Sequence, residues 1–248
     1  MVESLHDMLQ PVVEAVARCG EPLRQIKSAV KQNSLRFDDV VGKIVDAGRG
    51  LWVIRELGEA QFVWWDYMTE EFIDGIEFSE NINKFLRQYI LQDKARKVDN
   101  TIEMIRANPI MNKHLRIFDQ SVEAYKRGSS DLAVTGFTSV FDGLLSVVSN
   151  NSGSGMKFRA GIIKDKLEND EVLNNDEYAM LTFALTFEKT LDSFSANSNF
   201  DGKEPKGLNR HWIAHGRSTR KKTKLDCVKM INLIYALLLL EKLDNSAP

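Results

Sequence analysis

Apolar residues recur along this chain at helical spacing, in blocks punctuated by turn residues, and almost nowhere in the strict alternation of a strand. The clearest block follows Ser79, which the pattern predicts as an N-cap: Ile82, Phe85, Leu86, Tyr89 and Ile90 obey the i, i+3, i+4, i+7, i+8 rule without a miss. Shorter blocks precede it. Val12, Val13 and Val16 follow Pro11; Leu23, Ile26 and Val30 follow Pro22; Val40, Val41, Ile44 and Val45 run up to Gly48 and Gly50. Leu51 to Tyr67 is rich in aromatics, and Trp64 and Trp65 there are expected as core or interface residues rather than as a base-stacking platform. After Ile90 a narrow stripe of Val98, Ile102 and Ile105 ends at Asn108-Pro109, because a residue before proline is pushed out of the helical region.

From Ile110 onward the blocks lengthen. One carries Leu115, Phe118, Val122 and Tyr125 and closes at Arg127-Gly128. The next starts near Ser129 or Ser130 and places Leu132, Phe137, Val140, Phe141, Leu144, Leu145 and Val148 on its buried side. Ser149 to Gly155 reads as a loop, with no phosphate-cradle spacing. Helices around Ile162, Ile163 and Leu167 and from about Asp176 to Phe194 follow, then a polar stretch, then a last helix from about Leu225 to Leu243. That helix is apolar nearly all round from Ile231 and must be buried in a bundle centre or an interface. The expected architecture is all-α: a helical bundle over residues 109–248 behind a helical N-terminal region over residues 1–108.

Composition narrows the partners. The 248 residues include 33 basic and 35 acidic ones, so any attraction to a polyanion must be local. Cys19 and Cys227 make no disulfide framework and no metal spacing, and suit small core positions in a reducing compartment. The longest apolar run, Leu233 to Leu240, is shorter than a membrane span, and no signal sequence opens the chain; we expect a cytoplasmic protein without a membrane partner. There is no GxSxG, HExxH or EF-hand loop. His6 and His114, without suggestive neighbours, are expected at the surface.

The other two of the four histidines fall in Asn209-Arg210-His211-Trp212-Ile213-Ala214-His215-Gly216. Three readings compete. The residues can be a polar helix face capped by Asn209. His211 and His215, four apart, can share a metal, although no further ligand lies at a familiar spacing. Or the set can act on RNA phosphate: an arginine fork binds phosphate oxygens, and an imidazole takes and returns a proton near pH 7. Downstream, Arg217, Arg220, Lys221, Lys222 and Lys224 continue the positive charge. With Lys206 and Arg210 they make seven cations and no anion between Lys206 and Lys224. Such a segment is either a polyanion-binding edge or a solvated loop.

The stretch resembles the Arg-x4-His signature of the HEPN superfamily of helical ribonucleases, whose defence-associated members often read Asn-Arg-His-x-x-x-His-Gly. The likeness extends to the helices holding Glu123-Ala124-Tyr125 and Ser139 to Leu145, and to the apolar helix after the motif, covering about Ile110 to Leu243. It implies a homodimeric ribonuclease without metal or other cofactor, a toxin or abortive-infection effector. Arg210 and His215 would be catalytic, with His211 beside them, and Asp142 would stand for an acidic partner. Asn209 and the cations Arg217, Arg220, Lys221, Lys222 and Lys224 would bind RNA. An antitoxin or regulatory protein is a further expected partner, and dimerisation would bury the Ile231 to Leu240 surface. The alternative is a non-catalytic dimeric module that binds RNA or protein. A regular helix, at about 100° per residue, would set Arg210 and His215 roughly 140° apart. The motif is therefore expected at a helix start or bend, or completed across the dimer.

Overall fold

The computed structural model describes residues 52–64, 70–153, 155–169, 178–197 and 199–244. The expectations for the helices before Leu51, and for His6, Cys19, Trp65 and Tyr67, lie outside them. The described residues are all-α, with no strand among them. After a helical segment at 52–59 come α1 (Glu70–Glu77), α2 (Ile82–Ala107), a 3-10 turn (Pro109–Lys113), α3 (Leu115–Lys126) and α4 (Ser130–Val148). They are followed by α5 (Met156–Asn169), α6 (Tyr178–Ser195), the single-turn α7 (Arg210–Ala214) and α8 (Lys224–Asp244).

The bundle is built around α8, which packs against α4 and α2. Val228, Ile231, Ile234 and Leu237 are fully buried, and Leu233, Leu238 and Leu240 nearly so. This corrects one expectation: the Ile231 to Leu240 surface already lies inside one chain, so a dimer must use another face. The helix α4 is long and apolar enough to cross a membrane by length and composition. Its Phe137, Phe141, Leu144 and Leu145, each fully buried in the bundle, account for that composition.

Asn108 does not separate two cores. It leaves the helical region (ψ 125°) before Pro109 and caps the 3-10 turn by accepting from the Ile110 N–H. On its N-terminal side Val53, Leu57, Phe62, Leu86, Val98 and Ile102 belong to the same apolar cluster as Phe118, Phe141 and Ile234. Two side-chain anchors fasten this N-terminal part. Asn232, fully buried on α8, accepts from the Val63 N–H (2.8 Å) and donates to the Val63 carbonyl (3.0 Å). Thr186 Oγ1 on α6 accepts from the Trp64 N–H (2.9 Å), and Trp64 is a core residue.

Several local expectations shift. Asn81 caps α2 by accepting from Lys84 N–H, while Ser79 Oγ accepts from Asn81 N–H, so the cap sits two residues later than Ser79. Gln92 to Ala95 leave helical geometry, with φ of 51°, 57° and 63° at Asp93, Lys94 and Ala95, which breaks α2 between its two apolar stripes. Leu132 is 67% exposed, on the solvent side of α4 rather than in its core. His114 is half-buried at the start of α3, against Gly143, where a Cβ would fall 2.6 Å from its Cε1. Burial, and then Lys113, lower its pKa.

Asn232 is a fully buried polar side chain in the apolar stretch of α8, and its two bonds satisfy both backbone groups of the fully buried Val63. We expect Asn232→Leu to lower stability by about 2 kcal/mol or more in urea denaturation. An unchanged midpoint would contradict the anchoring role.

Candidate active site

The motif Asn209 to Gly216 is a complete, capped, single-turn helix. Asn209 is its N-cap: the side-chain oxygen accepts from Trp212 N–H (3.2 Å), and Nδ2 donates to the Ala196 carbonyl (2.9 Å), closing the loop at its base. At the other end Gly216 adopts φ 65°; its N–H donates to the Ile213 carbonyl and that of Arg217 to Trp212. This is the paired bonding of a Schellman stop, whose left-handed position favours glycine. Trp212 and Ile213 are buried and anchor the turn. His215 is the C-cap and lies outside regular helical geometry (φ −91°, ψ 5°). Arg210 opens the turn and His215 caps it, and both line one cleft within a single chain.

That cleft, of about 750 Å³, is lined by Met156, Lys157, Phe158 and Ile162 of α5, by Ser195 and Asn197, and by Arg210, His211 and His215. Its described lining holds no carboxylate. Asp142 stands behind it on α4. One carboxylate oxygen accepts from Arg210 Nη2 (2.9 Å) and the other from Arg159 Nη2 (2.7 Å). Arg159 is 8% exposed at its side chain and also donates to the Asp142 carbonyl (3.0 Å) and to Ser146 Oγ. Asp142 thus sits where an acidic partner of Arg210 was expected, but its contacts are those of a clamp. Two guanidinium groups share one carboxylate, and the triad keeps a net positive charge facing the cleft.

Phe200, from the polar loop before the motif, orients both histidines. Its ring stacks on His211 (centroids 4.4 Å apart, planes 6° apart) and meets His215 edge-on at 5.6 Å. The two imidazoles are 4.7 Å apart, centroid to centroid. Burial, and then the nearby His215 and Arg210, lower the pKa of His211, which keeps its imidazole neutral near pH 7. Among the described residues no three His, Cys, Asp or Glu side chains converge as metal ligands.

Gln61 pins the segment from the N-terminal side. Its Nε2 donates to the Leu208 carbonyl (2.7 Å) and to Ser193 Oγ (2.9 Å), and its Oε1 accepts from the Leu208 N–H. Neither Gln61, Arg159 nor Phe200 belongs to a motif. Phe200 alone had a signal, as the one aromatic in a polar loop next to the histidines.

No protein-family model, curated protein or solved structure matches this chain.

The expected RNA-binding residues divide into two groups. Arg217, Lys221 and Lys224 are exposed, and Arg217 also lies 5.1 Å from the Phe200 ring centroid. The others serve the fold. Asn209 is the buried cap described above. Arg220 makes two bonds to Asp226 (3.0 and 3.2 Å), and Lys222, 5% exposed at its side chain, pairs with Glu204 at 3.4 Å. Glu204 organises the whole segment: it accepts from the Thr219 N–H (2.9 Å), the Arg220 N–H (3.1 Å) and the Ser218 hydroxyl. Lys222 and the backbone of residues 219 and 220 thus fold around an acid two residues upstream of Lys206.

Burial pushes the Glu204 carboxyl up, but the Ser218 hydroxyl, the Thr219 and Arg220 amides and the Lys222 ammonium outweigh it and hold the pKa at about 2. A carboxyl depressed from its ordinary 4.5 stabilises the fold above that pH, and the contribution fades as pH falls toward about 2. We expect Glu204→Gln to cost about 2–3 kcal/mol at neutral pH. The deficit against the parent chain, followed by urea denaturation, should narrow as pH falls below 4.5. A deficit independent of pH would contradict it.

Proposed function

We propose that this protein is a metal-independent endoribonuclease of the HEPN type, cutting RNA by attack of a ribose 2′-OH on the adjacent phosphate. The observation that carries this reading is the convergence of Arg210, His211 and His215 on one cleft with no carboxylate in its described lining. The His215 imidazole takes the 2′-OH proton as the oxygen bonds to phosphorus. Arg210 stabilises the charge on the five-coordinate phosphate, and its fork is pre-aimed by Asp142. The P–O5′ bond breaks, the 5′-oxygen regains a proton, and the ends are a 2′,3′-cyclic phosphate and a 5′-OH. His211, kept neutral and stacked, offers a second proton-carrying group or a contact to the phosphate.

The family resemblance extends the proposal to a cytoplasmic, homodimeric toxin or anti-phage effector, restrained by a regulatory partner. Exposed Arg217, Lys221 and Lys224 beside the motif fit a track for the RNA backbone. The same cations support a second reading, a non-catalytic module that binds RNA without cutting it.

Arg210→Ala leaves Asp142 paired with Arg159, and His215 is exposed, so neither substitution threatens the fold. We expect each to reduce RNA cleavage by about 10²–10⁴-fold with an unchanged circular dichroism spectrum. Cleavage by the double variant at the parent rate would sink the proposal. Salt-sensitive RNA binding without cleavage by the parent protein would select the second reading.

A further inference from the structure

We propose that Phe158 and Lys157 form a nucleobase subsite in the same cleft, where an unpaired base of the RNA stacks on Phe158 and a neighbouring phosphate meets Lys157. The inference rests on the proposed action on RNA and deepens it. Phe158 is 59% exposed, an unusual position for so large an apolar ring, and it lines the cleft. The other described lining groups that carry charge or can acquire it are Lys157, Arg210, His211 and His215, all of them basic. A ligand matching this wall is anionic in one part and flat and aromatic in another, which is the chemistry of a nucleotide. The volume, about 750 Å³, suits a ligand of that size.

The subsite is held in register with the histidines by one carboxylate. Phe158 and Lys157 lie between Met156 and Arg159, both buried, at the start of α5. Arg159 is bonded to Asp142, and Asp142 is bonded to Arg210. The aromatic ring and the Arg210 fork are therefore positioned from the same carboxylate on α4. A base can reach Phe158 only with a face uncovered, so the subsite selects single-stranded or looped RNA over duplex.

The test uses the full chain and a fluorescent 2′-O-methyl oligonucleotide, which lacks the attacking hydroxyl and reports binding alone. We expect Phe158→Ala to weaken binding of the single strand about tenfold or more. Phe158→Trp should restore it, and a strand of equal charge with abasic sites should bind both forms equally weakly. Unchanged binding in Phe158→Ala would overturn the subsite. So would a loss that tracks a change in oligomeric state by sedimentation, which would make Phe158 an interface between copies. Cleavage of the unmodified strand, measured in parallel, separates the two claims. If the parent chain cuts RNA and Phe158→Ala leaves KM unchanged, the subsite alone fails. If the parent binds through Phe158 but does not cut, the ribonuclease reading alone fails. If the parent does not bind the oligonucleotide, both fail.

Discussion

A single buried-edge carboxylate holds the candidate site together. Asp142 receives one guanidinium from α5 and another from α7, 17 and 68 residues away in the chain. Arg159 is too buried to stand without an anion, and Arg210 would be free to swing without one. Because both cations share Asp142, their helices are fixed relative to α4 and the cleft between them keeps its shape. One shared anion cannot neutralise two cations. The excess positive charge is left at Arg210, in a cleft wall without carboxylates among its described residues.

Around that clamp the fold controls a very short helix. An isolated single turn has no stability of its own in water. Here it is held by Asn209 at its start, Gly216 at its stop, Trp212 and Ile213 in the core, and Gln61 just before it. Gln61 gives the segment 52–64 a structural task at the site, and Asn232 and Thr186 secure that segment to the bundle. The loop carrying Phe200 is tied at both ends, by Asn209 to Ala196 and by Glu204 to residues 218–220, so the stacking ring is not left to a free loop.

The helices and the buried terminal helix were readable because apolar period and turn residues determine them locally. Leu132 misled because periodicity gives a stripe and not its edge, and the exposed margin of α4 carries the same spacing as its core face. Ser79 misled because two capping residues lie two positions apart, and only the chain path decides which one meets the first free N–H. The basic segment after the motif showed its charge but not its use. Long-range pairing with Glu204 and Asp226 commits Lys222 and Arg220 to the fold, and no local pattern announces that. Arg159 was invisible for the same reason: a buried arginine on a mixed helix looks like any surface arginine until its partner, 17 residues earlier, is in place.

Under the proposed ribonuclease reading, the two imidazoles, the guanidinium held by Asp142 and the aromatic ring in the cleft would make an RNA strand's own 2′-oxygen the nucleophile. That chemistry leaves a signature on the product which no metal-dependent phosphodiesterase of the usual kind leaves. The most direct measurement is the identity of the ends made when the purified protein acts on a defined single-stranded RNA in excess chelator. The account predicts 2′,3′-cyclic phosphate and 5′-OH ends, formed at an undiminished rate. Ends bearing 3′-OH and 5′-phosphate, or cleavage abolished by the chelator, would contradict it.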